Sequence, residues 1–156
     1  MAQQSGGTGR RPERPGGIAL DGVMLTAALI ALGGYLLPWF KQSPRYQWWY
    51  SGWEYASLST GGGWTLWTFA WILLAVVVSF WAGDSVPAAM TGVVAGVGTL
   101  VFSLAVVAAS FGAVGERSAL NPVAGMPFGI GLPVLATGAG LLLAAGCRAI
   151  VRAERP

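Results

Sequence analysis

Four long apolar runs, at 18–40, 64–82, 88–114 and 127–149, are separated by short polar segments along a chain of 156 residues. At about 1.5 Å per helical residue, each run covers the roughly 30 Å of a bilayer's hydrocarbon core. None carries a charge in its central portion. Lipid offers the backbone no hydrogen-bond partners, so a spanning segment must be a helix or part of a closed barrel, and runs of this length without period-two alternation predict helix. The expected fold is all-α: an integral membrane domain over 18–149, built as a four-helix transmembrane bundle.

Helical spacing divides each run into faces. Ala27, Ala31 and Gly34 share a face of the first run, Gly92, Gly96, Thr99 and Ser103 one of the third, and Gly131, Gly138 and Ala145 one of the fourth. Such small-residue seams let backbones approach closely, with dispersion and Ser/Thr hydrogen bonds holding helices together. The second run shows a bulky stripe, Trp67, Trp71, Leu74, Val78 and Trp81, with Thr68, Ala75 and Ser79 a quarter turn away, so the smaller side is expected to pack inward and the bulky one to face lipid or a partner. Trp64 and Trp81 at its two ends suit the headgroup level, where an indole buries its ring and satisfies its N–H. Gly129, Gly131 and Pro133 mark a place where the fourth run can break or kink.

Composition strengthens the membrane reading. Hydrophobic residues make up 54% of the chain and charged ones 10%, with a mean hydropathy of +0.61, against about 25% charged residues in soluble domains. Residues 1–17, rich in Gly, Pro, Gln and Arg, cannot bury enough apolar surface to offset ordering and read as a disordered tail. Arg10-Arg11 lacks the context of a twin-arginine signal, and no small-residue cleavage site closes the first run, so that span is expected to be retained. The net charge of +3 does not point to nucleic acid, because Arg10, Arg11, Arg14, Arg148, Arg152 and Arg155 flank the hydrophobic region while Lys41, Arg45 and Arg117 fall between runs on the other side. That bias predicts a multi-pass protein of the plasma (cytoplasmic) membrane with both termini cytoplasmic, including a short basic tail at 150–156.

The segment between the first two runs, together with the end of the first, gathers Trp39, Arg45, Tyr46, Trp48, Trp49, Tyr50, Trp53 and Glu54 as candidate contact residues for a partner or ligand. Tyr46, Trp48 and Tyr50 alternate while Trp49 and Trp53 are four apart, leaving strand and short helix open. Three uses remain: an aromatic lid in the outer interfacial layer, a recognition surface rich in hot-spot residues, or a cage for a quaternary ammonium.

The elements GGYLLPWF, Ser51-Gly52 and GGGWTLWTF resemble those of uncharacterised small four-span membrane proteins of actinobacterial type, and are loosely similar to the Trp-associated membrane proteins. The resemblance implies a four-span architecture and carries no catalytic residue. A claudin-like arrangement is disfavoured by the single cysteine, Cys147.

Candidate chemistry is sparse. There is no histidine, no ionisable residue at the centre of a run, and no metal-ligand spacing, so no cofactor and no metal are expected. Glu54 and Glu116 are the only carboxylate pair on the outer side and read as solvated loop charges; Asp84 reads as a turn residue ending the second run, and Cys147 as a small buried residue. The sequence therefore predicts a non-enzymatic accessory, assembly or scaffolding subunit whose partners are the lipid bilayer and another membrane protein or a second copy. The alternative is a binding or transport module taking a hydrophobic or amphipathic small molecule near Trp39, Trp48, Trp49 and Trp53.

Overall fold

Asp21 starts the first helix. In the computed structural model, which describes residues 19–40, 50–56, 62–112 and 128–153, its Oδ1 accepts hydrogen bonds from Val23 N and Met24 N, each at 3.0 Å. Two of the helix's otherwise orphaned donors are thereby satisfied. Helix α1 (Gly22–Leu36) ends where Pro38 forces the preceding residue out of helical geometry, with Leu37 at φ −73° and ψ 156°. The chain then runs extended as β1 (Pro38–Phe40), paired antiparallel with β2 (Tyr50–Ser51), and Phe40 bridges to Phe128. The helix expected over 18–40 is thus a shorter helix followed by a strand.

The remaining elements are all helical: α2 (Gly52–Ala56), α3 (Gly62–Val78), α4 (Val86–Gly112) and α5 (Gly131–Ala153). The second run leaves its helix at Val78 and enters turns through 79–84, short of the expected 82. Ser85, rather than Asp84, serves the start of α4, its Oγ accepting from Ala88 N at 3.4 Å. The fourth helix begins later than expected and continues past Cys147 and Arg148, taking in part of the segment read as a tail. Pro133 lies in its first turn, where the missing N–H costs nothing, so it does not kink the helix.

Length separates the helices into two classes. Helices α4 and α5 hold stretches long and apolar enough to cross a membrane, Val86–Ala108 and Gly131–Arg152, with mean hydropathies of 2.1 and 1.8. Helices α1 and α3, with 15 and 17 residues, are apolar but shorter.

The four long helices form a closed ring in which α1 touches α3 and α5, and α4 touches the same two. Neighbours run antiparallel. Along the α1–α5 pair, Asp21 meets Arg148, Gly138 lies on the backbone of Ala31, and Gly34 lies on the backbone of Val134 and Leu135. Along α3–α4, Trp64 rests on Phe102, Trp71 covers Gly98 and Val78 approaches Gly92. The chain therefore goes up, down, up and down. One end collects the start of α1, the 79–84 turns and the end of α5; the other collects the strand pair, α2 and the start of α5.

Small side chains fill much of the interior. Ala27, Ala31, Thr99, Ser103 and Ala145 are buried, Gly92 faces Met24, Gly96 faces Leu143, and Gly131 lies under the carbonyls of Leu37 and Pro38. On α3, Thr68, Ala75 and Ser79 are buried and Trp67 and Trp81 exposed, whereas Trp71, Leu74 and Val78 of the same bulky stripe are half-buried against the core. Four buried hydroxyls bond within their own helices rather than across the seams: Thr68 to Trp64 O, Ser79 to Ala75 O, Thr99 to Ala95 O and Ser103 to Leu100 O. Close packing, not interhelical hydrogen bonding by these groups, joins the helices.

A Cβ at Gly138 would overlap the Ala31 backbone, whereas one at Gly140 meets nothing within 4 Å. Gly138→Val is expected to destabilise the fold by about 3 kcal/mol, while Gly140→Ala is neutral or stabilising by up to about 1 kcal/mol. Thermal unfolding in detergent, followed by circular dichroism, compares the two.

Candidate functional site

The two ends of the ring differ in chemistry. At the first, the strand pair turns Trp39 inward. Trp39 is 0% exposed, its Nε1 donates to Gly34 O at 3.1 Å, and its ring stands edge-on to Tyr35 at 5.8 Å. Tyr35 also lies 5.3 Å from Phe69, which meets Trp53 at 5.6 Å. Gly52 closes this cluster: a side chain there would run into Tyr35 and Trp39. Trp39, expected as a contact residue, is instead part of the core, because Pro38 ends α1 and swings the following indole beneath Gly52 and Gly131.

Of the other expected contact residues, Trp53 is 54% exposed. Ser51 and Glu54 form a reciprocal capping box for α2, with Ser51 N donating to Glu54 Oε2 at 2.9 Å and Glu54 N donating to Ser51 Oγ at 3.3 Å. The Glu54 carboxylate thus has a structural task. Tyr50 contributes its backbone to β2. Arg45, Tyr46, Trp48, Trp49 and Glu116 lie outside the described residues, so neither the full aromatic surface nor the carboxylate pair is assembled here. On the bulky side of the second run, Trp64 and Trp67 are exposed and meet the half-buried Phe102 of α4 at 5.6 Å and 6.4 Å.

The opposite end holds a charge pair that the hydropathy pattern passed over. Arg148 Nη2 donates to Asp21 Oδ1 at 3.2 Å and to Oδ2 at 3.3 Å. The Asp21 side chain is 6% exposed and that of Arg148 38%. Asp21 is further held by its own N–H, which donates to Ser79 O at 3.0 Å, and the adjoining Ala19 O accepts from Gly83 N at 2.9 Å. One carboxylate therefore joins the start of α1 to the end of α5, and its backbone joins both to the α3–α4 turn. Beside it opens a cleft of about 470 Å³, lined by Leu20, Asp21, Gly22, Val23, Gly83, Arg148, Ala149 and Arg152. The Nε of Arg148 is buried without a hydrogen-bond partner among the described residues.

The sequence signal for this pair was present but weak: an acidic residue immediately before an apolar run is an N-cap pattern. Nothing in the chain marks Arg148 as its partner, 127 positions away. Cys147, expected to be buried, is exposed on the outer face of α5. Among the described residues, no group of three or more His, Cys, Asp or Glu is placed to hold a metal ion.

Comparison with models of protein families, with curated proteins and with solved structures finds no match for the chain.

Asp21→Ala removes both the cap and the ion pair, and is expected to cost about 2 kcal/mol. Asp21→Asn retains a capping oxygen and should cost about half as much. Equal losses in chemical or thermal unfolding would show that the cap contributes nothing.

Proposed function

We propose that the chain is a non-enzymatic integral membrane protein, an accessory, assembly or scaffolding subunit whose four long helices all cross the bilayer. The observation that carries this reading is the inverted distribution of side-chain size. Alanine, glycine, threonine and serine fill much of the interior, while Leu29, Trp67, Leu73, Val77, Val94, Val101 and Leu104 are among the large apolar residues turned outward. In water such a surface favours aggregation, since soluble monomers rarely expose large contiguous apolar patches. In hydrocarbon it incurs no such penalty, and helix association then relies on close contact between small residues.

The short helices fit the same reading. Fifteen residues of α1 span about 22 Å, and three extended residues of β1 add about 10 Å, which together match the hydrocarbon thickness. Non-helical backbone is tolerated at that depth only where protein covers it. Here Trp39 O accepts from Gly129 N and Phe40 pairs with Tyr50 and Phe128. Arg148 and Arg152 sit at the end where α1 begins, and the basic bias assigns that end to the cytoplasm.

The partner surface in this reading combines Trp53 with the exposed Trp64 and Trp67 beside the half-buried Phe102. The partner is another membrane protein or a second copy of the chain. A small-molecule module centred on Trp39 is less well supported, because Tyr35, Gly52 and Gly131 enclose that indole.

In a Cys147→Ala background, Trp53→Cys is expected to react with a membrane-impermeant maleimide from outside intact cells, and Asp84→Cys only after permeabilisation. Labelling of both from one side rules out the four-span topology. For the scaffold role, mild-detergent purification should recover a stoichiometric second protein or a homo-oligomer that is lost with Trp67→Ala. Recovery of monomer alone, with tryptophan fluorescence quenched by an amphipathic small molecule, would favour the transport module.

A further inference from the structure

We propose that the cleft beside the Asp21–Arg148 pair binds the anionic phosphate headgroup of a membrane lipid. This rests on the membrane reading above but concerns a different end of the molecule from the aromatic contact surface. The cleft has two kinds of wall. Arg148 and Arg152, one turn apart on α5, supply cationic donors, and Leu20 and Val23, 50% and 49% exposed, supply apolar lips. A phosphate ester with an acyl chain attached has the same division between charged head and apolar tail.

Charge sets the preference. Two arginines and one aspartate line the cleft, leaving one positive charge in excess. Arg148 bonds Asp21 through its Nη2, and its side chain remains 38% exposed. A guanidinium in that state retains donors suited to phosphate oxygens, whose geometry its planar fork matches. Arg152 has no ion-pair partner among the described residues and is exposed at the cleft's edge. A helix C-terminus favours a basic residue by itself, but that preference is met by Arg152 and does not account for a second arginine held at the cleft by Asp21. Asp21 holds Arg148 in place and moderates the cleft's charge.

Location supplies the last element. The cleft lies at the end of the bundle where the apolar outer surface stops, at headgroup depth in the proposed orientation. Basic pockets between helices on the cytoplasmic side are suited to anionic lipids.

The test uses the full chain in detergent, incubated with equal amounts of phosphatidylglycerol and phosphatidylcholine and read by native mass spectrometry. One phosphatidylglycerol should be retained in preference to phosphatidylcholine. Arg152→Gln should weaken that retention about tenfold, the scale of one charge-assisted hydrogen bond. Asp21→Asn, which keeps the cap and removes the negative charge, should strengthen it. A purely structural ion pair predicts no gain from that variant. Equal retention of the two lipids by the unmodified chain, or no change with Arg152→Gln, overturns the proposal, and displacement of the lipid by an equal concentration of glycerol phosphate overturns its lipid source. Because the Arg152 side chain is exposed, the test survives a failure of Asp21→Asn to fold. Flotation with vesicles of phosphatidylcholine alone and of phosphatidylcholine with phosphatidylglycerol separates the two readings: failure to enter either sinks the membrane reading, whereas entry into both with equal retention of the two lipids in the mass spectrum sinks only this one.

Discussion

The fold depends on how closely α1 can approach α5. Gly34 lies on the backbone of Val134 and Leu135, and Gly138 lies on that of Ala31. Each glycine removes the atom that would hold the two helices apart. At this separation, dispersion between backbones acts along the whole interface, and the ends of the helices come near enough for polar contacts. At one end Asp21 reaches Arg148; at the other, Gly131 fits beneath the carbonyls of Leu37 and Pro38 and Gly129 N donates to Trp39 O. A wider spacing would separate all of these groups.

Four buried hydroxyls obey the same economy of space. Thr68, Ser79, Thr99 and Ser103 each donate to a carbonyl of their own helix. Internally satisfied hydroxyls need nothing from a neighbour and can be buried next to alanine without leaving an open donor. Bulk is consequently displaced to the outside, where Trp67, Val101 and Leu104 project. The exceptions are concentrated at the strand end, where Tyr35, Trp39 and Phe40 form a large-residue core around a non-helical backbone. Large rings fill the space that a shortened α1 leaves.

Much of the helical architecture was legible from the chain because apolar run length and residue size both act locally. The seam through Ala31 and Gly34, and the inward side of α3 at Thr68, Ala75 and Ser79, follow from a 3.6-residue period alone. Trp39 was misread because its burial depends on Pro38 ending a helix and on strands pairing with segments that hydropathy treats as loop. Asp21 was missed for a related reason: averaging over an apolar run hides one charge at its edge, and the value of that charge depends on an arginine far away in sequence. The sequence shows which residues can pair locally, but a contact such as Asp21 with Arg148 is visible only once the ring is closed.

The ring's closure also has an order in time. Helices α3 and α4 are consecutive and can associate as soon as both have left the ribosome, but the partner of Asp21 lies 127 positions further along the chain, and those of Gly34 lie in the same helix α5. At translation speeds of about 5–20 residues per second, α1 waits on the order of ten seconds for α5. During biosynthesis its glycine face and its carboxylate therefore exist without their α5 partners.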